Sequence, residues 1–250
     1  MVRIFFIILL FFSTSACTKT TFVRSAPDYS QSLTKSKIVL LLPPIVEVNQ
    51  IDAFNKKTRV YSYEDRLEEN IVDTFITKMQ DKGYNIKLFS RTEIGTNKLS
   101  KYVVDIKDNF DETLNILYAS GAWKEDAAYS IDEKISSAVD LGEKAGADLL
   151  VVMNFYAESK TSGAVTKDFC TEILKGCITG RVNLDPSEFS RVRLAILDVP
   201  TGRVLWTHSV GLSSDMIDTT IASFSDNDKV DKKNLSILFN SALADLPDAK

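Results

Sequence analysis

The residues of this chain best suited to chemistry are three cysteines, Cys17, Cys170 and Cys177, and a single histidine, His208. A thiolate or an imidazole can act as a nucleophile, a general base or a metal ligand. Six residues separate Cys170 from Cys177, which does not match the C-x2-C pairs of zinc sites, and one histidine cannot complete a ligand set. His208 stands beside Trp206 in a segment with strand character, where a histidine packed in the sheet is expected rather than a catalytic base. We therefore predict no catalytic residue and no metal site.

One acidic cluster, Asp105, Asp108, Asp111 and Glu112, could be considered for calcium. A calcium loop needs oxygen ligands at alternating positions and a turn glycine. Lys107 occupies a ligand position here and no glycine follows, so we interpret the cluster as favourable charge near a helix N-terminus. The sequence also contains no phosphate loop, dinucleotide-binding loop or nucleophile elbow. No cofactor is expected.

The first 17 residues have the composition of an export signal. Arg3 is the only charged residue before a nine-residue apolar run, 4–12, and a short polar stretch, 13–16, leads to Cys17. These are the three regions of a secretory signal peptide. The apolar run is shorter than the roughly 20 residues that span a bilayer. We predict a signal peptide over residues 1–16.

The residues that precede Cys17 resemble the lipobox of bacterial lipoproteins, in which small residues precede an acylated cysteine. Thr14 departs from that pattern, because the family usually has an aliphatic residue at this position. The resemblance implies a palmitate-type lipid anchor on Cys17; the alternative is an ordinary secretory signal followed by a chance cysteine. Lipoprotein sorting in many bacteria retains an aspartate-bearing form at the inner membrane, so Thr18 implies the outer membrane, facing the periplasm.

Export also affects the other two cysteines. In an oxidising compartment Cys170 and Cys177 are a possible disulfide closing a small loop, and two free thiols are the alternative.

The charge balance excludes one class of partner. Removing residues 1–16 takes away one positive and no negative charge, which changes the formal net charge from −4 to −5. Nucleic-acid binding requires clustered lysine and arginine, so no nucleic acid is expected. No polybasic segment is present to hold an anionic membrane surface. Membrane attachment would then depend on the lipid.

The chain divides into three predicted segments. After the signal peptide, residues 17–37 are rich in serine, threonine and lysine, and we predict a lipidated cysteine followed by a flexible tether. Residues 38–250 are predicted to form one α/β (α+β) domain, a mixed sheet of about five strands with helices packed on it and a C-terminal helix.

Hydrophobic periodicity gives the elements of that domain. Buried strands are predicted at 38–42 and 148–155, helices at 63–82, 110–120, 130–145 and 234–246, and a short strand at 84–90. Ser130 and Glu133 form a predicted capping box. Residues 45–61 are predicted to be a long loop, 157–188 a surface excursion and 226–233 a charged link. Residues 190–198 and 203–211 are predicted to form a hairpin whose left-handed turn residue is Gly202.

Two short motifs support a family resemblance. A Gly-Ala-Asp sequence, Gly146 to Asp148, leads into a buried strand, and a D-x-x-T-G turn, Asp198 to Gly202, joins two later strands ending in Trp206. This order resembles the α/β domain of the TolB amino-terminal domain, the curli-secretion (CsgG-like) lipoproteins and the lipoprotein activators of penicillin-binding proteins. The resemblance covers roughly residues 38–246 and implies a fold more than a function.

These observations lead to one functional hypothesis and two alternatives. We expect a non-enzymatic envelope lipoprotein whose periplasmic domain binds or organises another cell-envelope component, with a periplasmic or outer-membrane protein as partner. The alternatives are a subunit of a curli-like secretion channel and a hydrolase with an unrecognised site. Residues 45–61 and 157–188 lack the two regular alternating strands that a channel subunit would require. The partner's identity and self-association are not encoded in any recognisable motif.

Overall fold

A computed structural model describes residues 21–35, 38–119, 134–179, 188–213 and 228–249. The described strands are β1 Thr21–Ser25, β2 Val39–Leu41, β3 Ile45–Ile51, β4 Lys57–Arg59, β5 Ile86–Leu88, β6 Leu149–Lys160, β7 Glu188–Asp198 and β8 Val204–Ser213. The described helices are α1 Tyr29–Lys35, α2 Tyr61–Asp81, α3 Arg91–Thr96, α4 Ser100–Ala119, α5 Ser136–Ala145, α6 Ser162–Thr179 and α7 Asp228–Ala242. The α/β class is confirmed, with eight described strands instead of about five.

The long strand β6 organises the sheet. β7 pairs with it antiparallel on one side, and β8 and then β1 continue the sheet outward. On its other side β6 pairs in parallel with two successive strands, β2 along its first residues and β3 along its last. Pro43 and Pro44 separate these two strands because proline has no N–H to donate to a ladder. β5 borders β2, and β4 borders β3.

Alternation along β6 builds two apolar cores. Val151 and Met153 point to a core shared with α2 and α7, where Phe75 and Phe239 meet edge to face with ring centroids 5.3 Å apart. Leu150 points to a second core formed with α3, α4 and α5. The sheet is therefore the middle of three layers, as expected for apolar runs buried on both faces. The described residues include no helix that is both long and apolar enough to cross a membrane.

The β7–β8 hairpin confirms the predicted turn. Gly202 has φ +66°, and its N–H donates to Asp198 O at 2.8 Å. A Cβ atom at Gly202 would lie 2.7 Å from Ile135 O, so both conformation and space require glycine. The register shifts by one residue at the turn, and this bulge places Val204 in the second core instead of beside Trp206.

The predicted flexible tether is wrong for residues 21–35. β1 pairs antiparallel with β8 from Thr21 to Ser25, and α1 buries Leu33 completely. The segment is rich in polar residues, but a strand can add to a free sheet edge through its backbone alone. Periodicity of side chains could not show this pairing.

Two predicted loops are also regular structure. Residues 45–61 contain the β3–β4 hairpin and the first residue of α2, and residues 157–188 contain the end of β6 and all of α6. β6 keeps its alternation past Phe155, but the residues on one face become polar, which conceals the strand in a search for apolar runs.

Several helices begin at residues other than those predicted from the sequence. Ser90 and Glu93 form a capping box at the start of α3, and α4 begins at Ser100, ten residues before the predicted start. α7 begins at Asp228, within the predicted charged link. The predicted capping box of Ser130 and Glu133 lies outside the described residues. The C-terminal end of α5 is confirmed, since Gly146 is left-handed with φ +65°.

Candidate functional site

Beyond the second core, the sheet continues as a surface of charged and amide side chains. On β6 the positions after Val152 that share its face include Asn154, Tyr156 and Glu158, all half-buried. Strand pairing places residues of β3, β4 and β7 beside them. We call this surface the polar sheet face; its members are Glu47, Asn49, Lys57, Asn154, Tyr156, Glu158, Arg191 and Arg193.

Tyr156 lies at the centre of the polar sheet face. Lys57 Nζ donates to Tyr156 Oη at 3.0 Å and to Glu158 Oε2 at 2.8 Å, and the tyrosine hydroxyl donates to the same carboxylate oxygen. Two cations also lie over the phenol ring, with Lys57 Nζ 5.6 Å and Arg191 Cζ 5.7 Å from its centroid. These distances are within the range of cation–π attraction, so the ring is held by both charge and hydrogen bonds.

Arg191 and Arg193 are neighbours on the same face of β7. Arg191 pairs in the sheet with Tyr156, and Arg193 with Asn154. Nε of Arg193 and Oδ1 of Asn154 are both buried without a hydrogen-bond partner. An unmatched donor and an unmatched acceptor therefore lie on adjacent strands at one level of the sheet.

Glu47, the other acid of the polar sheet face, and the adjacent Asp111 each accept a hydrogen bond. Asn154 Nδ2 donates to Asp111 Oδ1 of α4, and Asn49 Nδ2 donates to Glu47 Oε1 at 2.7 Å. Burial raises the pKa of Asp111, opposed by the charge of Arg193 and the Asn154 hydrogen bond. The helix layer and the sheet thus meet through a polar contact at the edge of the second core.

The ionisable groups around Tyr156 keep fixed charge states. Burial raises the pKa of Tyr156, and its hydrogen bond to Glu158 adds to this effect. Burial opposes ionisation of Glu158, but hydrogen bonds from Lys57 and Tyr156 prevail and hold the pKa of this carboxyl below its usual value. The hydrogen bond to Glu158 raises the pKa of Lys57. All three shifts move titration away from neutral pH, the reverse of what general acid–base catalysis needs.

No cluster of three potential metal ligands occurs in the part of the chain that the structure describes. The acidic group of Asp105, Asp108, Asp111 and Glu112 lies within α4 and not at its start, so the predicted interaction with a helix N-terminus is wrong. Asp111 instead accepts the hydrogen bond from Asn154.

The residues singled out in the sequence lie elsewhere. Cys17 is outside the described residues. Cys170 is a free, exposed thiol on α6, and Cys177 follows on the same helix. Seven residues of helix rise by roughly 10 Å, whereas disulfide-bonded Cα atoms are usually under about 7 Å apart, so this conformation has no bond between them. His208 is fully buried beside Trp206, with ring centroids 5.5 Å apart.

Fold and site together define a three-layer α/β domain whose mixed sheet extends past one helix layer into a charged surface. No protein-family model matches the chain, and no curated protein sequence matches it.

Solved structures that are similar to this domain include a PelC dodecamer and a bacterial lipoprotein. The PelC dodecamer from Paraburkholderia phytofirmans is 11% identical with a TM-score of 0.39, over 93% of this chain and 99% of that one. Lipoprotein GNA1162 from Neisseria meningitidis is 10% identical with a TM-score of 0.33, over 84% of this chain and 99% of that one. At this level of similarity, function must be argued from the residues of this chain. The resemblance to the TolB and curli-secretion domains stays a prediction.

Proposed function

We propose that this chain is a non-enzymatic lipoprotein of the cell envelope, whose α/β domain binds or organises another envelope component through the polar sheet face. Cys17 would carry the lipid, palmitate included, and hold the domain at the outer membrane on its periplasmic side. The observation that carries the binding role is the arrangement of Lys57, Tyr156, Glu158 and Arg191. These side chains are charged or hydrogen-bonded, partly exposed and fixed on rigid strands.

The charge states support binding over catalysis. A carboxyl with a lowered pKa and an amine and a phenol with raised pKa values do not exchange protons near neutrality. They do present permanent hydrogen-bond donors and acceptors. Surfaces of this type select partners by complementary charge.

β1, which follows the proposed lipid anchor at Cys17, starts at the end of the sheet that carries the polar sheet face. Thr21 pairs with Val210 and Ser25 with Trp206, so the chain enters the sheet at the end where β8 finishes. β6 also finishes at this end, with Lys160, and the polar sheet face occupies the same part of the sheet. Three residues lie between Cys17 and Thr21, and the four steps of chain that join the two have a reach of at most about 14 Å. A lipid on Cys17 would therefore hold the polar sheet face close to the membrane.

Membrane anchoring is tested with two cysteine variants. Cys17→Ala should move the protein from the membrane fraction to the soluble fraction, whereas the matched Cys170→Ala should leave it with membranes. Separation of the two membranes should place the wild-type protein in the outer-membrane fraction. Retention of Cys17→Ala in membranes would contradict the lipid anchor.

Partner binding is tested in intact cells. A photo-crosslinking amino acid at Glu47, on the rim of the polar sheet face, should capture an envelope component. The same amino acid at Lys101, exposed on α4, should not. Equal capture from both positions would contradict the binding role of this face.

A further inference from the structure

The two arginines of β7 carry more hydrogen-bonding capacity than their surroundings use. Arg191 and Arg193 are two residues apart on one face of a strand, so their Cα atoms are separated by roughly 7 Å. Both side chains are half-buried, and among the described residues neither guanidinium has a hydrogen-bonded acceptor. Two partly desolvated cations side by side are costly unless an anion completes them.

The nearby carboxylates are already engaged. Glu158 accepts from Lys57 and Tyr156, and Asp111 accepts from Asn154. Burial and the charge of Arg193 lower the pKa of Arg191, which indicates that the local acids do not fully compensate this pair. The missing counter-charge must therefore come from outside the described residues.

Arg191 has no side chain beside it on the neighbouring strand, and the Phe189 ring occupies that space. The partner of Arg191 on β8 is Gly211, which has no side chain, and a Cβ atom there would lie 3.0 Å from Phe189 Cε2. The partner of Arg193 is Ser209. Arg191 is thus flanked by a glycine on one strand and by the Tyr156 ring on the other. A ligand would therefore reach the guanidinium groups from their solvent-exposed side.

Two buried atoms that have no hydrogen-bond partner, Arg193 Nε and Asn154 Oδ1, indicate the chemistry of the ligand. Nε of Arg193 is a buried donor without an acceptor, which suits an oxyanion. Oδ1 of Asn154 is a buried acceptor without a donor, which suits a hydroxyl group. A guanidinium fork matches carboxylate and phosphate geometry better than an ammonium does. A ligand that offers an oxyanion and a neighbouring hydroxyl on a compact ring satisfies both atoms together.

We propose that Arg191 and Arg193 form, with Asn154 and Tyr156, a binding site for an acidic sugar, whose carboxylate or phosphate contacts the two guanidinium groups and whose hydroxyl contacts Asn154. This site deepens the proposed function and rests on it, because it gives the chemistry by which the polar sheet face would recognise an envelope component.

The test is a binding titration of the purified full chain with glucuronate, glucose 6-phosphate and neutral glucose. Saturable binding of at least one acidic sugar is expected, with no saturable binding of glucose. Tighter binding of glucuronate or of glucose 6-phosphate shows whether the oxyanion that the site prefers is a carboxylate or a phosphate. Arg191→Gln should weaken binding by at least about tenfold, as expected for a lost charge-assisted hydrogen bond. Arg91→Gln, which removes an exposed guanidinium on α3, should leave affinity unchanged.

A measurement on the wild-type protein covers the case in which a variant fails to fold. The Nε–H resonance of Arg193 should shift on addition of the acidic sugar and stay in place with glucose. Absence of saturable binding, equal binding of glucose, or an equal effect of Arg91→Gln would overturn the proposal. Loss of sugar binding with retained crosslinking from Glu47 would overturn the sugar site alone. Absence of crosslinking would instead count against the binding role.

Discussion

Gly142 in α5 and Val199 in the β7–β8 turn are in such close contact that a Cβ atom on Gly142 would lie 2.9 Å from the Cβ of Val199. The N–H of Val199 also donates to Asp148 O at 3.0 Å, which fixes the turn against the start of β6. The helix can therefore approach the hairpin only if position 142 has no side chain. This contact joins the second helix layer to the sheet.

Replacement of Gly142 by alanine should destabilise the fold. The overpacked contact should cost about 1–3 kcal/mol, offset by up to about 1 kcal/mol from the higher helix propensity of alanine. The matched control is Gly95→Ala in α3, where a Cβ atom would meet nothing within 4 Å. This control should leave stability unchanged or raise it by up to about 1 kcal/mol. Urea unfolding of the two variants provides the measurement, and a Gly142→Ala protein as stable as Gly95→Ala would contradict the close contact.

Glu64 provides a hydrogen-bond acceptor for a part of β3 that has no neighbouring strand on that side. Its Oε1 accepts from the N–H of Val48 at 2.9 Å and from Arg59 Nε at 2.7 Å, and Arg59 also donates to Val46 O at 3.3 Å. β4 is too short to reach these backbone groups, so the two side chains satisfy this part of the sheet edge. Glu64→Ala should cost about 2–4 kcal/mol, because it leaves a buried N–H and a guanidinium without their acceptor.

The control for this prediction is Glu69→Ala, an exposed glutamate on the same helix. It should change the free energy of unfolding by less than about 0.5 kcal/mol. Similar losses in both variants would show that helix α2 as a whole, and not the contact at Val48, is sensitive to the change.

Local sequence patterns predicted those parts of the fold that depend on residues close to one another in the sequence. The apolar runs correctly indicated β2 and β6, and turn chemistry correctly indicated the left-handed Gly202. β1 was missed because its strand pairing uses backbone groups, and its sequence carries no apolar alternation. The intrinsic β-strand propensity of the residues is weak evidence for a strand at a sheet edge.

The polar sheet face was missed because it depends on strand register. Lys57 and Tyr156 contact each other across 99 positions of sequence, and no local motif predicts that distance. One signal was available in hindsight: Asn154, Tyr156 and Glu158 alternate directly after an apolar strand, and Arg191 and Arg193 alternate in the hairpin. Polar alternation continuing from a buried strand indicates that one face of the sheet leaves the core.

The cysteine chemistry of α6 can be measured directly. Cys170 is exposed and unbonded, so a polar maleimide should modify it in the native protein without prior reduction. Peptide mass analysis should assign the adduct to Cys170, and Cys170→Ala should lose it. A native protein that resists modification until a reductant is added would support the disulfide with Cys177 and would require the helix to unwind between the two residues.

Tyr84 should make stability depend on alkaline pH. Its hydroxyl donates to Pro247 O at 2.7 Å, and burial of the phenol, followed by the charges of Asp248 and Tyr29, raises its pKa to about 12. In the unfolded chain a tyrosine titrates near pH 10. Between pH 10 and about 12 the folded state retains a proton that the unfolded state has lost, so the free energy of unfolding should fall as pH rises through this window.

Tyr84→Phe should remove this part of the pH dependence, whereas Tyr61→Phe, which removes an exposed phenol, should preserve it. Urea unfolding at successive pH values provides the measurement, and an identical alkaline slope in wild type and Tyr84→Phe would show that this phenol is not the group responsible.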